Sequence, residues 1–438
     1  MSAASLVKRR SPEWEIEAYE MGDFTSYGAC GMPYYVSGDV PHLDDLVVVT
    51  PDEFREKRGI NVFMQHRVEA VHPDKSIVEV RDLGTGQVKE APYDELVIAT
   101  GAAPIVPDGV DVDMEGVFTL RTLHDAGNIK DYAAKAGCKD GLVVGTGYIG
   151  MEMTEALKAA GLKVSVLGRR PRLLGSYEDE ISQAVAAELA KQEVEVTFGP
   201  ALTKLEKLPD GRIRAVRENG ESVTADLVVM GLGVRPRSEL AGNAGLTLGV
   251  HNAIGVDRQQ KTSRDHIWSA GDCAEAYHAI LKKNAYIPLA LTANRQGRIA
   301  GGNISGENVE FPGILGSAVC KICDLTAART GLGLDEARNA GFDAEKVNVT
   351  SNSRAHYYPG GGKISSVLIV EKGSRRVLGA QMAGTDGVAH RINIWAAAIG
   401  AGMTLPQVHA LDLAYAPPFS PVWDPVLIAS EVAMKKIK

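Results

Sequence analysis

The sequence predicts an α/β protein with two domains built on parallel sheets, followed by a smaller α+β domain. Three observations carry this reading. Short β-branched runs alternate with alanine-rich helical stretches, the pattern of strands joined by helical crossovers. Three apolar runs end at or beside a glycine: LVIATG (Leu96–Gly101), LVVMGLG (Leu227–Gly233) and IWSAGD (Ile267–Asp272). The C-terminal ends of such strands are where open α/β sheets place ligands. Beyond about residue 311 the character changes to mixed short strands and one helical region.

In chain order, Ser2–Arg10 reads as a helix and EIEAYE (Glu15–Glu20) as a strand ending in a carboxylate. Leu142–Val144, a glycine turn, Tyr148–Ala160 and Lys163–Leu167 read as strand, turn, helix and strand. Farther on, Ser366–Val370 and Val377–Ala380 read as strands and Val388–Gly400 as a helix, ahead of the proline-rich tail YAPPFSPVWDP (Tyr415–Pro425). At ~100–200 residues per domain, 438 residues make two to four domains. No repeat of fixed period and no low-complexity tract interrupts them.

Composition excludes several functional classes. Hydrophobic residues make up 45% and charged residues 23%, so the chain is globular rather than disordered. Glycine, 47 of 438 residues, exceeds the ~7% typical of proteins and fits tight phosphate-binding turns. With 47 basic and 55 acidic residues the net charge is −8 and the pI about 5.8, which argues against nonspecific binding of nucleic acid or anionic membranes. No apolar run approaches the ~18 residues of a membrane span, and MSAASLVKRR lacks the form of a secretory signal. Five scattered cysteines make no disulfide framework, so the expectation is a cytoplasmic protein with reduced thiols.

Gly145, Gly147 and Gly150 form G-x-G-x-x-G directly after a strand and at the mouth of a helix. The first glycine permits the turn, the second lets a pyrophosphate approach the backbone, and the third allows close packing of helix on strand. The helix N-terminus adds free N–H groups and a positive dipole end. The following strand ends in Gly168, Arg169 and Arg170 where an NAD-specific site wants an acidic residue. Guanidinium groups without a carboxylate favour a 2′-phosphate. NADPH is the expected dinucleotide, with NADH as the alternative.

The opening segment reads as part of a second fold of this kind. Glu20 stands where a ribose-binding carboxylate would sit, but the strand and glycine turn expected before the first helix have no counterpart. The first domain is therefore expected to lack its opening strand, and the sequence reads as one beginning inside the fold.

LVIATG, G-x-G-x-x-G, IWSAGD and a C-terminal extra domain, in that order, resemble the FAD-dependent pyridine nucleotide-disulfide oxidoreductases along essentially the whole chain. SYGACGMPYY (Ser26–Tyr35) is similar to the active-site segment of the single-cysteine branch, which includes coenzyme A disulfide reductases, NAD(P)H oxidases, peroxidases and polysulfide reductases. HYYPG (His356–Gly360) and LAYAPPFS (Leu413–Ser420) resemble C-terminal motifs of coenzyme A disulfide reductases. The resemblance implies two Rossmann-like domains, for FAD at 1–113 with 232–311 and for NAD(P)H at 114–231. It implies a dimerisation domain at 312–438 and a homodimer. FAD is implied to meet Glu20, Thr100, Gly101, Gly271 and Asp272, the last at the ribityl chain.

Cys30 has no second cysteine four or five residues on, so its oxidised form must be a mixed disulfide, a persulfide or a sulfenic acid. A helix starting near Gly31 is expected to stabilise its thiolate. The resemblance implies that Tyr415 and one of Tyr357 and Tyr358 reach in from the partner subunit to serve the leaving thiolate. It places coenzyme A near Arg9, Ser26, Ala29 and Asn294. Three positions depart from the family pattern: Ala29 stands where asparagine is common, Asn294 where some members have histidine, and Trp423 where a lysine occurs. Lys8, Arg9 and Arg10 together form a basic cluster for coenzyme A phosphates. Cys320 and Cys323 form C-x-x-C with no second pair to complete a zinc site, and read as packing residues with no metal.

The expected activity is NADPH-dependent reduction of coenzyme A disulfide or a related disulfide or polysulfide. Its rivals are an NAD(P)H oxidase or peroxidase cycling Cys30 through a sulfenic acid, and a nucleotide-binding redox sensor without turnover.

Overall fold

In the computed structural model, which describes residues 1–437, the chain opens with helix α1 (Ser2–Arg10) and strand β1 (Glu17–Glu20). Helix α1 buries Ala3 and Val7 and lies against the helix at Ala290–Ile304. Glycine makes that approach feasible, because a Cβ at Gly301 would stand 2.8 Å from the Ala3 carbonyl oxygen. A short 3₁₀ turn, Ala29–Gly31, leads into α2 (Met32–Ser37). Strand β2 (Asn61–Met64) pairs in parallel with β1, and β3 (Leu96–Ile98) pairs in parallel with Ile267–Ser269. Among the described residues no strand joins these two pairs. An antiparallel three-stranded sheet, His66–His72, Ile77–Asp82 and Val88–Pro92, is inserted between β2 and β3.

The second region is a five-stranded, wholly parallel sheet of β4 (Val117–Thr119), β5 (Asp140–Val144), β6 (Lys163–Gly168), β7 (Glu195–Phe198) and β8 (Leu227–Met230). Its order is β4-β8-β5-β6-β7, and helix α3 (Tyr148–Ala159) crosses from β5 to β6. Leu142, Val143, Val228 and Val229 are fully buried, which explains why these strands read as unbroken apolar runs. Each such side chain contributes ~1.5–3 kcal/mol of burial. Where the chain enters and leaves this region, Ala102–Pro104 and Val234–Pro236 pair antiparallel, tying the two domains at one hinge.

The chain then returns to the first region as β9 (Ile267–Ser269) and α4 (Ala290–Ile304). The three glycine-ended strands are shorter than their apolar runs, which reach Gly101, Gly233 and Asp272. β3, β8 and β9 stop at Ile98, Met230 and Ser269, and Gly101, Gly233 and Gly271 a few residues on take φ of 70°, 98° and 90°. That left-handed backbone turns the chain out of the sheet.

The C-terminal region is antiparallel: β10 (Ala318–Ile322), β11 (Leu325–Gly331), β12 (Ala344–Asn352), β13 (Lys363–Glu371) and β14 (Val377–Gly384), in the order β10-β11-β14-β13-β12. Helix α5 (Val388–Gly400) packs on β11 and β14 through Val388, Ile392 and Trp395. Helix α6 (Pro425–Lys436), which the sequence reading did not anticipate, starts at Asp424, whose side chain accepts the Val426 N–H, and packs on β12. Among the described residues no helix is long and apolar enough to cross a membrane.

Candidate active site

The turn between β5 and α3 assigns its three glycines different roles. Gly145 has φ 122°, and a Cβ there would lie 2.2 Å from the Gly231 carbonyl oxygen. A Cβ at Gly150 would lie 2.2 Å from the Gly145 oxygen, so both are held by packing. A Cβ at Gly147 would meet nothing within 4 Å. That open face lies beside the first amides of α3, which carry no side-chain cap, and it is where a pyrophosphate fits. At the end of β6 there is no room for an acidic side chain, since a Cβ on Gly168 would stand 2.8 Å from both Phe198 and Thr146. Arg169 and Arg170 are exposed and, among the described residues, form no ion pair, whereas Arg172 is held by Asp179 at 2.6 Å.

A second set of candidate residues lies at the C-terminal ends of β1, β3 and β9. The half-buried Glu20 carboxylate accepts the Gly22 N–H at 2.8 Å, and its charge is felt at the buried α-amino group of Met1. Asp272 receives a long 3.3 Å contact from Arg121. The Gly271 N–H donates to the buried Gln296 side chain at 3.0 Å, and the Thr100 hydroxyl donates to the Arg237 carbonyl. Two carboxylates with unused acceptor capacity suit the hydroxyls of a ribose and a ribityl chain, so this donor set fits FAD at those groups. Sequence reasoning missed Arg121 and Arg237. Both lie within electrostatic reach of Tyr27, and the Arg121 backbone N–H is accepted by Asp125 at 2.7 Å at the start of the helix Leu123–Lys135. Their only sequence signal was an arginine shortly after a strand, in LRT and GVRPR.

Cys30 lies in the turn ahead of α2. A Cβ on Gly31 would come within 2.4 Å of Leu46, so packing demands glycine after the cysteine. The residue is exposed, yet desolvation, then the carboxylates of Glu152 and Asp272, push the thiol above its ordinary value. The helix does start near Gly31, which is the N-cap of α2, but the expected lowering of the thiol is not what results: desolvation first, then the two carboxylates, outweigh the helix start. Glu152, on α3, was not singled out in the sequence beyond being a carboxylate in the run YIGMEMTEAL. Burial pushes it up to about 7. It lies beside Pro33, Tyr34 and Ser37 of α2, which packs on α3.

The candidate substrate residues divide. Arg9 is exposed and free of ion pairs among the described residues, but Lys8 donates to the Trp14 carbonyl at 2.6 Å and Arg10 is paired with Glu307. Ser26 belongs to a two-residue strand, Ser26–Tyr27, paired with Val47–Val49, and Ala29 packs against the core. The Asn294 carbonyl oxygen accepts the Ser2 hydroxyl at 2.7 Å, and its amide donates to the Ala290 carbonyl at 3.0 Å, so it pins α1 to α4. Cys320 is buried on β10 and its thiol is pushed up to about 12, chiefly by burial, while Cys323 occupies the following turn at φ 55°. Among the described residues no group of three or more His, Cys, Asp or Glu is arranged to hold a metal.

The tyrosines gather elsewhere. The Tyr357 and Tyr415 hydroxyls lie 3.3 Å apart on an exposed face that also carries Tyr358, Phe419, Val422 and Trp423. Trp423 stacks on His409 with ring centroids 5.7 Å apart. Among the described residues neither hydroxyl bonds to the Cys30 turn of its own chain.

The family model described as pyridine nucleotide-disulphide oxidoreductase matches residues 1–297, and that of the dimerisation domain of these proteins matches residues 317–425. The chain is 38% identical to an NAD(P)H sulfur oxidoreductase (CoA-dependent) of Pyrococcus furiosus, covering 99% of this chain and 96% of the relative. It is 28% identical to the coenzyme A disulfide reductase of Staphylococcus haemolyticus over 96% of this chain and 93% of that protein. Among solved structures, it is similar to an NAD-dependent persulfide reductase from A. fulgidus, with TM-score 0.95 and 38% identity over 99% of this chain and 81% of that one. Reduced Bacillus anthracis CoADR-RHD gives TM-score 0.96 and 32% identity over 100% of this chain and 78% of that one. A water-forming NADPH oxidase bound to NADPH, engineered from the Lactobacillus brevis NADH oxidase, gives 0.94 and 27% over 100% and 96%.

Proposed function

This chain belongs to the pyridine nucleotide-disulphide oxidoreductase family, and from that premise we propose that it is an FAD-dependent NAD(P)H reductase of coenzyme A disulfide or a related disulfide or polysulfide, acting through Cys30. One observation carries the proposal. The Cys30 turn leads into α2, which packs on α3, the helix of the G-x-G-x-x-G turn, and the single thiol lies within electrostatic reach of Glu152 on that helix and of Asp272 after β9. A lone cysteine between two nucleotide sites is the arrangement that passing electrons to an external sulfur requires. The relatives named for sulfur, persulfide and coenzyme A disulfide reduction support the substrate class.

Glu20, Thr100, Gly101, Gly271 and Asp272 would hold FAD, with Arg121 beside Asp272 and the Arg237 carbonyl bonded to Thr100. Gly145, Gly147, Gly150, Arg169 and Arg170 would hold the dinucleotide. The engineered oxidase recorded with NADPH carries an aspartate-to-alanine exchange beside an alanine-to-arginine exchange. Gly168–Arg169 offers the same chemistry, which supports NADPH over NADH. Bound FAD would supply two electrons, drawn from NAD(P)H, to restore the cysteine thiolate.

The Cys30 thiolate attacks one sulfur of the disulfide R–S–S–R, forming Cys30–S–S–R and expelling R–S⁻. The expelled thiolate takes a proton or hydrogen bond from a tyrosine hydroxyl. Reduction of Cys30–S–S–R releases the second R–S⁻, so one disulfide, one NAD(P)H and one proton give two thiols. The dimerisation domain supports a homodimer, in which the partner subunit's Tyr357 and Tyr415 would face Cys30. The exposed Arg9 suits a coenzyme A phosphate. Its free cysteines fit a cytoplasmic enzyme.

The test is anaerobic turnover of coenzyme A disulfide with NADPH, read as thiol release, for the wild type and Cys30→Ser. The variant should lose roughly a thousandfold or more in kcat while retaining NADPH-dependent bleaching of the flavin. Faster turnover with oxygen or peroxide than with any disulfide would instead establish the oxidase or peroxidase reading. Full activity in Cys30→Ser would end both.

A further inference from the structure

We propose that Arg391 is a positioning residue that holds the two tyrosine-bearing segments in register. The inference rests on the reading that Tyr357 and Tyr415 serve the leaving thiolate.

Arg391 lies on α5, fully buried, and bonds through all three guanidinium nitrogens. Its Nε donates to Asp424 at 2.9 Å and its Nη1 to the Gly387 carbonyl at 3.0 Å. The same Nη2 donates to the Ser353 carbonyl at 3.0 Å and the Phe419 carbonyl at 3.1 Å. Those two carbonyls belong to different segments. Ser353 closes the loop that carries Tyr357, donating its N–H to the Gly362 carbonyl at 2.8 Å and accepting the Gly362 N–H on its hydroxyl at 2.9 Å. Phe419 belongs to the tail that carries Tyr415, where its N–H and that of Ser420 converge on the Ala416 carbonyl. The Ser420 hydroxyl bonds Asp424 at 2.9 Å, returning the tail to the same ion pair. One nitrogen therefore bridges the bases of both segments, and the 3.3 Å contact of Tyr357 with Tyr415 bridges their tips.

The surroundings are built around the guanidinium. Gly387 has φ 73°, and a Cβ there would lie 2.0 Å from Arg391 Nη1. Lysine could keep the charge beside Asp424 but could not fork to several acceptors in one plane. Arg391→Lys should therefore leave the ion pair and lose the bridge. A shift of about 1 Å in a catalytic group costs up to ~100-fold in rate.

The experiment is a double-mutant cycle in the FAD-loaded dimer with Arg391→Lys, Tyr415→Phe and the pair together. It reads kcat and KM with coenzyme A disulfide, and the rate of flavin bleaching by NADPH. Arg391→Lys is expected to lower kcat by about tenfold, with the bleaching rate and the KM for NADPH unchanged, and the double variant is expected to be no slower than Tyr415→Phe. Multiplying losses would overturn the inference, because Arg391 would then act by another route. A slowed bleaching rate in Arg391→Lys would overturn it too, as general damage. Full kcat in Tyr415→Phe would sink the tyrosine reading first and this inference with it. If Arg391→Lys gives no soluble dimer, Asp424→Asn, which keeps an N-cap for α6 but weakens the contact that fixes the guanidinium plane, carries the cycle: losses that do not multiply with Tyr415→Phe are expected, and multiplying losses overturn the inference.

Discussion

The hydroxyls of Tyr357 and Tyr415 meet at 3.3 Å although 58 positions separate the two residues. This bond, more than desolvation, pushes the Tyr415 phenol above its ordinary value. Either hydroxyl can donate across this contact, and both residues are exposed. Tyr358 is the more covered neighbour and has no part in the pair. Of the two neighbouring tyrosines, the proposed donor is therefore Tyr357. Tyr357→Phe and Tyr415→Phe should each lower kcat for disulfide reduction by about 10- to 100-fold, and Tyr358→Phe by less. Steady-state rates at saturating NADPH decide it, and a larger loss from Tyr358→Phe would reassign the donor.

Glu152 makes the Cys30 thiol pH-sensitive. Burial pushes Glu152 from 4.5 up to about 7, and its carboxylate in turn raises the cysteine. Glu152→Gln should move the pH profile of Cys30 alkylation to lower pH. A raised carboxylic pKa favours the protonated form in the fold. Its stabilising effect is complete below about 4.5 and is lost as pH rises through about 7. Thermal melts should therefore find Glu152→Gln gaining on the wild type between these values. Parallel melting curves and an unshifted alkylation profile would remove Glu152 from the site.

The glycine turn separates packing from binding. Gly150→Ala forces a Cβ to 2.2 Å from a carbonyl oxygen and should lower the melting temperature sharply. Gly147→Ala meets no protein atom within 4 Å, so it should melt like the wild type while its Kd for NADPH rises about tenfold or more. Equal melting losses in both variants would contradict this division.

Arg169→Ala with Arg170→Ala should raise the KM for NADPH by about 10- to 100-fold and leave NADH nearly unchanged. Each charge-assisted hydrogen bond contributes ~1.5–3 kcal/mol, and each 1.4 kcal/mol is tenfold. Equal effects on the two dinucleotides would place the 2′-phosphate elsewhere.

Much of this protein was legible locally. The helix at Val388–Gly400 and the strand, glycine turn and helix around Gly145 follow from periodicity and glycine spacing within one short window of chain. The same holds for the lone cysteine at 30 and the arginine pair at 169 and 170, since their meaning lies in which residues stand next to them.

Tertiary structure alone decided what those residues meet. It occupied Lys8, Arg10 and Asn294 with internal partners and left Arg9 free. It desolvated the Cys30 thiol and brought Glu152 and Asp272 near it, reversing the expected sign of the thiol's shift. The physical reason is the same throughout. Backbone conformation and turn chemistry are set by neighbours in sequence, whereas burial, ion pairing and pKa are set by neighbours in space, and sheet packing chooses those from remote parts of the chain.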